Sequence, residues 1–265
     1  DILDGSPPCT TFSMAGDREE SWGKMKKFRE GQKEQTLDDL SFVFIDTARK
    51  LKPKVIIMEN VEGLILGEAW SYVQKIYAEL NDAGYFVHHW LLKGEYMGVP
   101  QTRHRVFFVA VHKDLKIDPS WLDMSFNYAP VYFEKIVGGM PSAMRQDSQQ
   151  YQMLCKAVKN VDHNIKDVLV RELGKETCFN DLITWLNEVP PTLTGKGNIM
   201  LGDEVRKVSQ EEVARMQTFP EDYQFCGQQA RYVCGMSVPP VMMKRVVTRL
   251  IERGVFAYKE ETHET

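Results

Sequence analysis

The chain reads as an α/β protein, an open sheet with helices on its faces followed by a smaller and less regular region. Three observations carry this. Apolar runs of strand length alternate with segments of helical spacing through about residue 112. One run, Lys54-Val55-Ile56-Ile57-Met58, is apolar on successive positions, as a strand buried on both faces must be. From residue 114 the rhythm gives way to scattered prolines (Pro119, Pro130, Pro141, Pro190, Pro191) and the pair Gly138-Gly139.

Taken in order, Ile2-Leu3 ends a strand that runs into Gly5-Ser6-Pro7-Pro8-Cys9. Residues 10–36 are polar, with three glycines and the bases Lys24, Lys26, Lys27, Arg29 and Lys33. A loop of that length is uncommon and often functional. Leu37, Leu40, Phe44, Ala48 and Leu51 have helical spacing. The apolar strand at 54–58 delivers Glu59-Asn60-Val61-Glu62-Gly63 at its tip. A helix over 69–82 ends near Gly84, and strands follow at Tyr85–Leu92 and Arg105–Val111. Residues 114–200 form a second, smaller domain. Ser209 is the N-cap of a helix to 217, with Glu212 completing a capping box. A last helix covers 240–253, with Val241, Arg245, Val246 and Leu250 in register, and the polar tail 259–265 frays.

Bulk properties narrow the function. A net charge of -4 is unlike a dedicated nucleic-acid binder, which is often basic, but it leaves room for a local basic surface. The five cysteines are odd in number and hold no Cys-x-x-Cys pair, which argues against a disulfide framework or a zinc site and for a reducing compartment. No metal is expected. No apolar run approaches the ~20 residues of a membrane span, and there is no signal peptide. The chain opens on Asp1 directly into a strand, as if cut within a fold.

Three places carry chemistry. Cys9 follows two prolines at the end of a parallel strand, where open α/β sheets bind ligands; a lone cysteine is also often a small core hydrophobe. Glu59 ends an apolar strand, which suggests a partly buried carboxyl with a raised pKa, or else a helix N-cap acid. Arg103 and Arg105 alternate on an extended backbone, so their guanidiniums share one face and can clamp a carboxylate or a nucleobase carbonyl, or else line a solvated strand edge.

A thiol, a carboxylic acid and two arginines in this order resemble the DNA cytosine-C5 methyltransferases. Pro7-Pro8-Cys9 is similar to that family's nucleophile motif, Glu59-Asn60-Val61 to its Glu-Asn-Val motif, and Gln101-Thr102-Arg103-His104-Arg105 to its Gln-x-Arg-x-Arg motif. Pro191-Thr192-Leu193-Thr194, the block from Arg206 to Pro220, and Gly235-Met236-Ser237-Val238-Pro239 resemble later motifs in the same order. The resemblance implies a partial class I, Rossmann-like S-adenosylmethionine-dependent sheet: a catalytic domain at 1–113, completed by 233–265, and a target-recognition domain at 114–232.

It implies a mechanism too. Cys9 adds to C6 of a cytosine flipped out of duplex DNA, Glu59 stabilises the ring at N3, Arg105 holds the cytosine carbonyl, and Arg103 supports Glu59. The 10–36 loop closes over DNA, with Ser13, Lys24 and Lys26 as contacts; Thr192 and Lys196 contact DNA from the recognition region. The resemblance implies S-adenosylmethionine as the cofactor and a place in DNA methylation and restriction-modification.

The family's Gly-rich turn for the cofactor is not in this sequence; Pro8, Leu40, Ser237 and Val238 are what remain of the site, and Met236 stands where the family usually has Asn. A head that lies outside this sequence, a separate subunit carrying the cofactor motifs, and a relic that binds DNA without methylating it are the three explanations; opening on Asp1 favours the first. The rival substrate is tRNA, whose methyltransferases carry Cys-Phe-Thr where this chain has Cys178-Phe179-Asn180. An adenine-N6 methyltransferase is disfavoured, since Cys9 stands where that chemistry needs an aromatic ring. The expected location is the cytoplasm, or the nucleus in a eukaryote.

Overall fold

The computed structural model describes residues 1–7, 40–141, 143–174 and 181–255. Pro8, Cys9, Ser13, Lys24 and Lys26, with the rest of the 10–36 loop, lie outside the described residues, as do Cys178-Phe179-Asn180 and the tail 259–265. The chain divides into two compact units. The first comprises 1–92, 104–125 and 247–265; the second comprises 93–103 and 126–246. Residues 114–125 thus fall in the first unit, and 93–103 and 233–246 in the second, so compactness draws its lines elsewhere than the motifs do.

The first unit is built on a four-stranded sheet in the order β1-β2-β4-β3, formed by β1 (Ile2–Gly5), β2 (Val55–Val61), β3 (Tyr85–Lys93) and β4 (His104–His112). β1 runs parallel to β2, Ile2 opposite Val55 and Gly5 opposite Met58. β4 runs antiparallel to β2, Val55 opposite Val111 and Val61 opposite Arg105. The expected α/β class is borne out. β2 is buried on both faces, as its unbroken apolar run requires, and it continues through Glu59 and Asn60 to Val61, so the acid sits within the strand and not beyond its tip.

Helices α1 (Leu40–Leu51) and α2 (Trp70–Asp82) pack on this sheet. Their apolar stripes, Ile45 and Ala48 on one and Tyr72, Val73, Ile76 and Leu80 on the other, meet Ile56, Met58, Val106 and Phe108 in one core. Full burial of each of the Ile, Val, Leu, Met and Phe side chains is worth ~1.5–3 kcal/mol. At Gly5, where β1 meets α1, a Cβ would lie 2.6 Å from Cε2 of Phe44, so that ring would have to move to admit a side chain. Gly84 ends the α2 turn with φ +96°.

The second unit is more regular than its sequence suggests. It holds α3 (Gln149–Leu154), α4 (Ile165–Leu173), α5 (Gln210–Met216), α6 (Ala230–Met236) and a three-stranded sheet of β5 (Leu182–Thr184), β6 (Ile199–Leu201) and β7 (Arg206–Lys207). Alternation along β6 splits the interior in two. Ile199 and Leu201 join Phe133, Leu193, Val213 and Met216, while Met200 joins Leu154, Val168, Ile183 and Trp185. The α5 capping box is present as expected, Ser209 Oγ accepting from the Glu212 N–H and the Glu212 carboxylate accepting from the Ser209 N–H. Helix α7 (Pro240–Glu252) follows, its buried positions being Met242, Val246 and Leu250.

Candidate active site

The β2–β4 register places the first pair of site residues. Val61 lies opposite Arg105 and Glu59 opposite Phe107, so Glu59 and Arg105 are diagonal neighbours on one face of the sheet, within reach of two long side chains. They use that reach: Arg105 Nε lies 2.9 Å from Glu59 Oε1. Glu59 is 7% exposed. Arg105 Nη1 also donates to the His104 carbonyl at 2.6 Å. Burial lowers the Arg105 pKa from the ordinary arginine value, while the charges of Glu59 and Glu62 pull it back up.

Beside this pair stand Asn60, named in the sequence only as part of the Glu-Asn-Val motif, and Glu62, given no role there. The Asn60 amide donates to the Pro7 carbonyl at 3.3 Å, and its own oxygen accepts from the Val61 N–H at 2.9 Å. Asn60 therefore ties the end of β2 to the peptide that leads toward Cys9. One step past the last register pair, Glu62 faces His104, with Oε2 3.3 Å from Nδ1. The only available signal was adjacency to Glu59 and Arg105. Leu40, expected at the cofactor, is the half-buried first residue of α1.

In the second unit Arg103 is 1% exposed. Its Nη1 donates to the Leu193 carbonyl at 2.8 Å, and its Nη2 to the carbonyls of Gly235 (3.1 Å) and Ser237 (2.8 Å). Gln101 threads the same segments, donating to the Met216 carbonyl and to Gln217 Oε1, and accepting from the Leu193 N–H. Gln217 in turn donates to the Ser237 carbonyl at 2.7 Å. The segments approach too closely for a side chain at Gly235, where a Cβ would sit 2.3 Å from the Thr194 carbonyl carbon. The Ser237 hydroxyl donates to the Cys234 carbonyl, Val238 is half-buried, and Met236 is exposed.

Thr192 and Lys196 come together at an open crevice shared with Thr194, Asn198 and Arg231. The Thr192 hydroxyl donates to the Thr102 carbonyl. Arg231 is held by Asn198 Oδ1 at 2.9 Å, and Asn198 by Asp181. Burial lowers the Arg231 pKa from the ordinary arginine value, against the raising pull of Asp181. Among the described residues no group of three His, Cys, Asp or Glu side chains is placed to hold a metal ion, and no helix is long and apolar enough to cross a membrane.

An α/β sheet that sets a buried carboxyl beside a guanidinium defines the class, and comparison with known proteins places the chain within it. The chain belongs to the C-5 cytosine-specific DNA methylase family, which it matches over residues 1–252. It is 29% identical to the type II methyltransferase M.HpaII of Haemophilus parainfluenzae over 84% of this chain and 63% of that protein. Against the type II methyltransferase M.Eco47II of Escherichia coli it is 28% identical, over 86% of this chain and 57% of that one. It spans 37% of the orphan methyltransferase M.SPRI of Bacillus phage SPR, at 31% identity over 68% of this chain. These relatives are thus matched over less than two thirds of their length. Among solved structures, a putative DNA modification methyltransferase encoded in an E. coli prophage matches with TM-score 0.64 at 19% identity, covering 95% of this chain and 78% of that one. A Spodoptera frugiperda DNMT2 mutant matches with TM-score 0.60 at 16% identity, over 95% and 79%. Both show the same fold.

Proposed function

We propose that the chain carries the catalytic and DNA-reading part of an enzyme that methylates C5 of cytosine in duplex DNA. The observation that carries this reading is the Glu59–Arg105 pair, a buried carboxyl and a guanidinium held on one face at the same end of a sheet. Family membership and the type II relatives support it.

Cytosine C5 is a weak nucleophile. A Cys9 thiolate adding to C6 forms a C–S bond and moves electron density toward N3 and C5. Glu59, carrying a proton, donates it in a hydrogen bond to N3 and stabilises that density. Arg105 donates to the cytosine carbonyl, while Arg103 is engaged with the Leu193, Gly235 and Ser237 carbonyls. C5 then takes up a methyl group, loses its proton to a base, and the C–S bond breaks to return the thiolate. The base must first leave the helix, which costs a few kcal/mol of unstacking. Ser13, Lys24, Lys26, Thr192 and Lys196 contact the DNA.

S-adenosylmethionine supplies an electrophilic methyl group when bound. The resemblance assigns Pro8, Leu40, Ser237 and Val238 to its site; Leu40 on the first unit and Ser237 and Val238 on the second are each partly exposed, and Pro8 lies outside the described residues. The Ser237 hydroxyl and carbonyl are engaged within their own unit. These residues make up only part of such a site, and we assign the rest to a cofactor-binding segment joined to this chain or carried by a separate subunit. The exposed Ile2 on β1, whose sheet partner among the described residues is β2, marks an edge where such a segment can add.

A covalent trap tests the reading. Duplex DNA carrying 5-fluorocytosine, incubated with the whole protein and cofactor, is expected to give a denaturation-stable adduct that Cys9→Ser abolishes. No adduct from the parent protein, or methyl transfer to tRNA and not to duplex DNA, would overturn it.

A further inference from the structure

The arginines of the second unit are mostly engaged. Arg145, Arg171, Arg206 and Arg215 each face a carboxylate. Arg103 faces three carbonyls, and Arg245 lies over the Tyr128 ring at 3.8 Å. Arg231 is held by one neutral oxygen. Its Nη1 donates to Asn198 Oδ1 at 2.9 Å; Nε is buried with no acceptor, and Nη2 has none among the described residues. Buried donors are paired as a rule, and a guanidinium carries five donors. The hold through Asn198 is directional. Asp181, 5% exposed, stands one residue before the first β5–β6 pair, as Asn198 does on the other strand. Its Oδ1 accepts from the Asn198 N–H at 3.0 Å and from Nδ2 at 2.9 Å, and its Oδ2 accepts from Gln150 Nε2 at 2.6 Å. A carboxylate only accepts and a guanidinium only donates, so the Asn198 amide can stand only one way between them. Asp181 is thereby occupied by neutral donors, one side chain removed from Arg231.

The crevice that Arg231 lines has no acid among its residues. Lys196 stands on the same crevice, exposed, on a turn closed by the Thr194 hydroxyl donating to the Lys196 carbonyl and by Gly197 at φ +85°. Two cations, neutral groups around them and an unfilled set of donors suit an anion with several acceptor oxygens. We propose that Arg231 is a further DNA-binding residue: through Nη2 it takes a backbone phosphate of its own, beside the one assigned to Lys196. A fork already held by Asn198 gives up little side-chain freedom on binding, whereas an exposed lysine must be ordered. Phosphate contacts of this kind fix the register of a protein on the duplex and carry no sequence information. This inference rests on the reading of the chain as part of a duplex-DNA enzyme.

Fluorescence anisotropy of the whole protein with one duplex, over a range of salt concentrations, tests it. Arg231→Gln is expected to lower the slope of log affinity against log salt by ~0.9, as one lost phosphate contact does. The double variant with Lys196→Ala should lower it by about twice as much. Arg231→Lys keeps the charge and should hold the slope near the parent's, while binding a few-fold more weakly. A second readout uses the parent protein, so it stands even where Arg231→Gln does not fold. The Nε–H signal of Arg231 in nitrogen-15 NMR, assigned from Arg231→Lys, should shift as duplex DNA is added. An unmoved slope in folded Arg231→Gln, or an Arg231 signal that duplex DNA leaves in place, overturns the role of Arg231; if the parent still forms the 5-fluorocytosine adduct, the enzyme reading stands. A signal that moves with inorganic phosphate and not with duplex DNA makes the crevice a free-anion site, and also overturns the proposal. A parent that neither binds duplex DNA nor forms the adduct would overturn both.

Discussion

Arg103 and Arg105 lie two residues apart in the same motif and are used differently. Arg105 directs its Nε at a carboxylate, in the first unit. Arg103, nearly wholly buried, directs its two terminal nitrogens at the carbonyls of Leu193, Gly235 and Ser237, in the second. Those three carbonyls end two segments far apart in sequence, and the arginine is what brings their acceptors together. A guanidinium facing a carboxyl can take part in chemistry, because its partner can change protonation state. One facing peptide carbonyls fixes architecture, because its partners cannot. The lesson is that alternation on an extended backbone does not assign a common role.

The largest expected effect tests this contrast directly. Arg103→Ala takes this donor from the Leu193 and Gly235 carbonyls, at about 1–3 kcal/mol each, while the Ser237 carbonyl keeps Gln217. It should destabilise the second unit by ~3 kcal/mol or more, read as a loss of several degrees in the melting temperature by circular dichroism. Arg105→Gln should cost much less, since Glu59 can protonate in response, while the 5-fluorocytosine adduct is lost. Equal destabilisation by both variants would break the distinction.

The sequence made the first unit legible because its signals were local. The unbroken apolar run of β2, the helical stripes of α1 and α2, and Gly84 all encode their own structure. Glu59 and Arg105 were legible as motif members. Their pairing was not, since it depends on a register that sets Val61 opposite Arg105. Glu62 and His104 escaped notice for the same reason. The second unit was read as irregular because β5, β6 and β7 are two or three residues long, too short for period two to show, and α3 and α6 are only six and seven. Its cross-links by Gln101, Gln217 and Arg103 join segments about 90 to 130 residues apart, which no local pattern announces.

A second buried carboxyl sharpens the comparison at intermediate size. Glu212, wholly buried, accepts from Arg206 at 2.7 and 2.8 Å and from the N–H groups of Ser209 (2.8 Å) and Gly138 (3.1 Å). Burial is the largest single influence and would raise its pKa, but these donors together hold it below the ordinary value of 4.5. A carboxyl depressed in the folded state stabilises the fold above its unfolded pKa and loses that contribution as pH falls through the lower folded value. Glu212→Gln should therefore cost about 1–3 kcal/mol at neutral pH, with the deficit against the parent shrinking below pH ~4.5. Urea midpoints measured from pH 3 to 7 check it; a deficit constant with pH would show that Glu212 contributes by shape and not by charge.

The smallest effects separate inward from outward use at the crevice of the second unit. Lys196 is exposed, while the Thr192 hydroxyl donates to the Thr102 carbonyl. If Lys196 meets a phosphate, Lys196→Ala lowers the slope of log affinity for duplex DNA against log salt by ~0.9, the counterion release of one contact. Thr192 carries no charge and releases no counterion. Thr192→Val should leave the slope alone and weaken binding only a few-fold, alike at every salt concentration, because it removes one oxygen and frees one carbonyl at an exposed position. Fluorescence anisotropy with one duplex between 50 and 200 mM salt resolves the two. A slope unchanged by Lys196→Ala would place the crevice away from the DNA, and a slope changed by Thr192→Val would mean that this hydroxyl positions Lys196 through the turn that joins them.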